Sequence, residues 1–527
     1  MSSNKKSGRR FVSAEIKREQ YISIAMPYVP YLATFLVMWL LYFHLYSKGL
    51  LYNEAAISLC IRTVLLILVF CGIYLKYENK LTMDQLIMLC ILGGLVMRMG
   101  YTFYTPFYVR EHDIGEISLN GVGHAAYIYN LFENNKLPDS YLGQFYHPPL
   151  FHYLATISMK FFATMSHETE IDSILLAAAL VSCFASCSVL FLVRSLCREL
   201  KCKPEMTCMI VAFVAFCPNF YLIAGCVNND SVAVALIVFS FTMLVRWYYS
   251  RKFSHLIGMA TGIGFGMMAK LNAAVLAFVA GPIMLYILWQ AIRQKKWIGL
   301  LGQYFAFIAV CAPLGLWYSI RNYILFRMPF GYVLNVDYIE ELYRGDVSYV
   351  KRFLSFPWKE FLSSPYCNSS IDYNLPIYMI RSSLFGEYQF DGMETIAWLL
   401  IFVNLFLIIL SLVAMIAVVL KGKKFDPILR YGCAMLWLAF VSSYLVFNIK
   451  YPDSCTMDFR YIIPVIISGA TYLAAFWQMM CEYLKERVCV EKSHEIKYYM
   501  AKVLVWTIPF CCILFALFSA YMYSNLA

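Results

Sequence analysis

The sequence predicts an all-α protein that crosses a membrane many times, and three observations predict it. Of 527 residues, 61% are hydrophobic and only 14% charged, whereas soluble domains run nearer half apolar and a quarter charged. Apolar runs recur from Pro27 to the C-terminus, several of them longer than the ~20 residues a helix needs to cross the hydrocarbon core. The basic residues gather at the ends of those runs, where the positive-inside rule and anionic lipid account for them. The net charge of +11 therefore points to a bilayer and not to nucleic acid.

The elements follow in chain order. Residues 1–26 are polar and basic, with no short apolar core and small-residue cleavage site after them, and are expected to be a cytoplasmic tail. Hydropathy then predicts about thirteen spans, at 27–47, 55–75, 84–104, 172–194, 206–225, 231–248, 255–270, 273–290, 299–319, 396–420, 431–448, 461–481 and 501–523. Basic loops such as "RSLCRELKCK" and "KGKKFDPILR" all fall on the cytoplasmic side if the apolar segment 148–165 lies at the outer face without crossing. The alternative is that it crosses and one basic loop breaks the rule. Two long loops then face outwards, 105–171 and 321–394. The second is polar enough to cap the membrane surface, and in it Asn368 opens an Asn-Ser-Ser glycosylation pattern.

Most of the 18 cysteines lie inside apolar spans as small core residues. A disulfide among Cys226, Cys367 and Cys455 is possible but nothing in the sequence supports it. Cys197 and Cys202 lack zinc-site spacing.

The first loop carries the chemistry. "REHDIGE" places Asp113 among Arg110, Glu111, His112 and Glu116, whereas a lone carboxylate past a span end is usually just solvated. "GVGHAAYIYNLF" follows with Val122, Ala125, Tyr129 and Phe132 at helical spacing, expected to lie flat on the membrane. "QFYHPPLFHYL" then brings His147 to a pair of prolines suited to a first helical turn. His124 and His152 read more plainly as buried helical histidines with backbone partners. Asp113, Glu116, His124 and His147 fit no compact metal-ligand spacing, so no metal is assigned, though a divalent cation stays open.

"HD…GH..YI…LP…YHPPLFHYL" resembles the first external loop of GT-C glycosyltransferases, nearest the dolichyl-phosphate-mannose protein mannosyltransferase-like group that includes the lipid A aminoarabinose transferase. "GCVNNDSVAVAL", "GFGMMAKLNAAVL", "WYSIRNYILFRMPFGY" and "DFRYIIPVI" follow in the family's order. The resemblance implies a GT-C fold, with 27–82 as two additional N-terminal spans, 83–320 as the catalytic membrane module and 395–527 as the closing helices. It implies transfer of a sugar from a polyprenyl-phosphate donor, dolichyl or undecaprenyl, to a protein, lipid or polymer acceptor on the non-cytoplasmic face. The multi-pass setting would be a bacterial plasma membrane rather than the endoplasmic reticulum. Asp113 inherits the family's catalytic-base role. Many relatives have adjacent Asp-Glu here; in this chain His112 and Ile114 flank Asp113, and Glu116 is the available substitute.

Chemistry agrees with the resemblance. An attacking hydroxyl must lose its proton, and a positioned carboxylate can take it. A departing phosphate needs cations. Lys270, Arg321 and Arg460 are the candidates at the outer side, each a functional hypothesis by its depth and each able instead to snorkel. His147 is expected to support the carboxylate or the phosphate, unless it only caps its helix. Asn229 and Asp230 either cap the helix that follows or back the first loop. The rival class is a transporter or flippase of lipid-linked sugars, which would show paired repeats and midplane breaks; the sequence shows no repeat.

Overall fold

The computed structural model describes residues 26–111, 113–119, 121–336, 339–368, 372–488 and 496–525. The basic tail before Met26 and His112, which was expected to support Asp113 in the first loop, lie outside the described residues, so both readings stay expectations.

The architecture is helical throughout. Among the described residues there is one isolated β-bridge, Tyr343 with Asp453, and no strand. Among the described residues, ten helices are long and apolar enough to cross a membrane, or up to twelve if each of two bent pairs is one span. This is fewer than the thirteen expected, and the reason is local. All thirteen segments are helical, but Phe253–Ala269 has only 17 residues. At 1.5 Å per residue that is about 26 Å, short of a ~30 Å hydrocarbon core. The two bent pairs break at Phe216–Cys217 and Ile463–Pro464, bending by 47° and 52°.

The breaks matter more than the spans. Pro218 opens the helix Pro218–Gly225, so the last carbonyls of Pro204–Ala215 lose their onward partners. Arg98, fully buried in the helix Met83–Tyr104, fills the gap. Its guanidinium donates to the carbonyls of Ala215 at 2.9 Å, Val214 at 2.8 Å and Gly94 at 3.0 Å. Its Nε donates to the Ser186 hydroxyl at 3.2 Å. Gly94 permits the approach, since a Cβ there would come within 2.9 Å of the Ala215 Cβ; small residues bring membrane helices together in this way.

The helix Trp297–Phe326 is hardly covered by the rest of the protein and exposes Ile298, Phe305 and Ile308. A helix apolar on its outward face is at home only in lipid. It also runs six residues past the expected start of the second loop, to Phe326, because nothing breaks it before Arg327 enters the left-handed region.

The described residues of the second loop, between 327 and 393, form turns, short helical pieces such as Trp358–Phe361, and the helix Leu375–Phe385, started by the Asn374 side chain accepting from the Ile377 amide. Ser382 on this helix ties both bent spans together. Its carbonyl accepts from Asn219, and its hydroxyl accepts from the Phe459 amide at 3.0 Å. The loop thereby fixes the segment that carries Arg460. Cys226, Cys367 and Cys455 are free thiols, so no disulfide joins them.

Candidate active site

The first loop is closed by its own backbone. The helix His124–Asn134 begins with amides that have no partner within the helix, and the loop supplies them: His124 N–H donates to the Asp113 carbonyl at 2.9 Å and Ala125 N–H to Ile114 at 2.8 Å. This hairpin needs unusual backbone. Asp113 sits at φ 57°, a left-handed state that aspartate tolerates better than most residues. Gly115, at φ 66°, packs so tightly that a Cβ would lie 1.6 Å from the Val122 carbonyl oxygen. The helix starts two residues later than the apolar pattern suggested. Val122 is exposed, and the buried face is Ala125, Tyr127, Ile128 and Leu131.

So held, the Asp113 carboxylate stands at the mouth of a cavity of about 310 Å³, lined also by His124, His147, Lys270, Arg460 and Tyr461. Three distant segments bring their charges together there. Arg460 reaches Asp113 at 3.4 Å and Asp230 at 3.8 Å. Lys270 is ion-paired with Asp230 and lies 4.8 Å from the Tyr461 ring centre. The chain of charges is Asp113, Arg460, Asp230, Lys270. It alternates in sign, which is what allows four charges to share a largely buried site, where each ion alone would cost several kcal/mol.

Each cation stands at a helix break. Lys270 follows Ala269, and the Asn229 side chain donates to the Ala269 carbonyl at 3.0 Å, closing the end of that helix. Asn229 therefore occupies the first position before its own helix but makes no side-chain cap there. Arg460 lies in the turn Phe459–Ile462, whose start is capped by Asp458 accepting from the Arg460 amide at 2.8 Å. Glu111 ties the first loop to the same region by accepting from the Val227 amide.

The structure thus brings together Asp113, His147, Asn229, Asp230, Lys270 and Arg460 of the expected site residues. It leaves Glu116 and Arg321 outside the cavity. Arg321 donates instead to the Pro138 carbonyl at 3.0 Å and lies 5.5 Å from the Tyr318 ring, bracing the first loop. Tyr146, Tyr332 and Tyr461 line the cavity and were missed. Tyr461 had a signal, since it directly follows Arg460; the others are indistinguishable in sequence from the chain's many membrane tyrosines.

His124 and His152 are buried and helical as expected, and they also partner each other, Nδ1 to Nε2 at 2.9 Å. Burial lowers His124 to about 4 and holds His147 well below the ordinary histidine value. The sign of the consequence is fixed. These rings are neutral when folded and take up protons near pH 6.5 when unfolded, so the stability they contribute is full above that pH. It is lost as pH falls from about 6.5 towards 4. Thermal unfolding of the detergent-solubilised protein is expected to drop steeply over that window, and His124→Asn should flatten the drop.

Among known proteins, residues 146–317 match the family model described as "Dolichyl-phosphate-mannose-protein mannosyltransferase". A comparison with curated proteins gives no match. Of solved structures, the Archaeoglobus fulgidus oligosaccharyltransferase in its apo form is 12% identical, with 83% of this chain and 56% of that chain covered and a TM-score of 0.46. ArnT from Cupriavidus metallidurans bound to undecaprenyl phosphate is 11% identical, with coverages of 83% and 76% and a TM-score of 0.44. This chain therefore spans little more than half the length of the oligosaccharyltransferase it matches. The match over residues 146–317 agrees with the resemblance to GT-C glycosyltransferases drawn from the sequence, and it covers about a third of the chain.

Proposed function

We propose that the protein transfers a sugar from a polyprenyl-phosphate carrier to an acceptor hydroxyl on the non-cytoplasmic side, with inversion at the anomeric carbon. The observation that carries the reading is the cavity in which a carboxylate, Asp113, lies 3.4 Å from a buried guanidinium, Arg460, with Lys270 one carboxylate further in. Base and cations are the two things the reaction needs.

Asp113, half-exposed at the cavity mouth, accepts the proton of the acceptor hydroxyl as its oxygen bonds to the anomeric carbon. The bond from that carbon to the phosphate oxygen breaks on the opposite face. The electron pair leaves with the carrier phosphate, whose charge Arg460 and Lys270 stabilise. Arginine suits the task because its planar fork matches two phosphate oxygens. Asp230 holds both cations in place before the carrier arrives. Asn229 and His147 keep the walls in position, and Arg321 braces the loop from outside. The prenyl tail would lie along a groove between spans.

The test is direct. The purified full chain in lipid nanodiscs is given a panel of mannosyl-, glucosyl- and galactosyl-phosphate polyprenols with a membrane extract as acceptor source. Release of bare polyprenyl phosphate with an inverted product supports the reading. No release from any donor, or a retained anomeric configuration, removes it. Gly115→Ala serves as a second check. Its Cβ has no room, so Asp113 should be displaced and transfer lost by at least ~100-fold, the range for a missing base, while the spans stay folded.

A further inference from the structure

We propose that His124, braced by His152, binds a hydroxyl group of the substrate in the cavity beside Asp113. The inference rests on the transferase reading above and names a contact that reading does not supply.

The geometry around the two rings argues for it. The bond from His124 Nδ1 to His152 Nε2, at 2.9 Å, places one proton between them. That leaves Nε2 as the remaining polar atom of the His124 ring, and this ring lines the cavity. His152 cannot swing away. It is fully buried and stacked on Tyr127, with ring centres 3.9 Å apart. Tyr127 is bonded to the Tyr318 hydroxyl at 2.9 Å, and Tyr318 donates to the Phe145 carbonyl at 2.7 Å. His124 is thus presented to the cavity by a fixed stack running back into the protein.

Its chemistry differs from that of its neighbours. Asp113, Asp230, Lys270 and Arg460 all face it with full charges, and burial keeps it neutral with a pKa of about 4. A neutral nitrogen of such low basicity holds a hydroxyl without taking its proton. A hydroxyl both donates and accepts, so it satisfies either tautomer of the ring. A phosphate oxygen would satisfy only one, and the cations already serve it. A site that must orient a sugar or an alcohol needs a group of this kind next to its base.

The experiment uses the full chain in nanodiscs, with bare undecaprenyl phosphate and the glycosylated carrier it binds best as probes. If the hydroxyl belongs to the donor sugar, His124→Ala weakens the glycosylated carrier about tenfold, the effect of one lost hydrogen bond. Bare carrier binds as before. If it belongs to the acceptor, both carriers bind as before, and KM for the acceptor extract rises about tenfold with kcat little changed. In either case His152→Phe reproduces the effect and His124→Gln recovers much of it. Unchanged binding and kinetics, or equal weakening of bare and glycosylated carriers, overturns the proposal. A wild-type protein that binds glycosylated carrier but transfers nothing ends the transferase reading alone. One that binds no glycosylated carrier ends both.

Discussion

Asp113→Asn is expected to lower sugar transfer by about 10²- to 10⁴-fold, the usual range for removing a general base, with the fold intact. The substitution keeps shape and hydrogen-bonding reach but removes the oxygen that takes the proton. Stability should change little. The Asp113 side chain is 46% exposed although Arg460 is buried, so water still solvates the carboxylate and the pair contributes little beyond about 1 kcal/mol. Arg460 keeps Asp230 and the Tyr461 hydroxyl as partners. Binding of the carrier should hold or tighten, because one negative charge leaves the neighbourhood of the phosphate. The prediction is therefore a split: kcat falls, carrier affinity does not, and thermal unfolding stays within a degree or two. Transfer within a few-fold of the wild type would mean that another group takes the proton. Equal loss of affinity and rate would mean that Asp113 serves only to hold Arg460.

That split depends on a neighbourhood only partly legible in the sequence. The helices were legible, because a run of apolar residues as long as a bilayer is thick has few other uses. Asp113 was legible through the family's loop pattern and Lys270 through its place at a span end. What joins them was not. Arg460 lies 347 positions after Asp113, and no local rule pairs residues so far apart. Arg321 looked equal to Lys270 by the same reasoning. It differs because its helix continues to Phe326, so its guanidinium turns back to the Pro138 carbonyl. Lys270 stands at a true break, where an extended residue lets the side chain enter the cavity. Hydropathy averages over such breaks and cannot place them. The His124–His152 bond was hidden for a similar reason, since it joins two helices through the loop between them.

Arg98→Ala is expected to be the most damaging single change to stability, although Arg98 lies within a helix and does not line the cavity beside Asp113. The side chain is fully buried in the membrane module without a carboxylate partner among its hydrogen bonds. Such a charge is tolerated only where strong dipoles meet it. Here they do: the Val214 and Ala215 carbonyls end a helix, where the peptide dipoles sum to about half a negative charge. Alanine leaves those two carbonyls without donors at about 1–3 kcal/mol each and opens a cavity besides. Methionine separates the terms. It fills most of the volume and removes the buried charge, which recovers solvation cost, yet still leaves the carbonyls unpaired. Arg98→Met should therefore fall between alanine and the wild type in thermal unfolding measured by fluorescence-detected gel filtration. Lysine keeps the charge but lacks the fork that spans two successive carbonyls, so it too should fall short. If methionine matched or exceeded arginine, the buried charge would be a burden on the fold, and the bend at Pro218 would have to be held by helix packing alone.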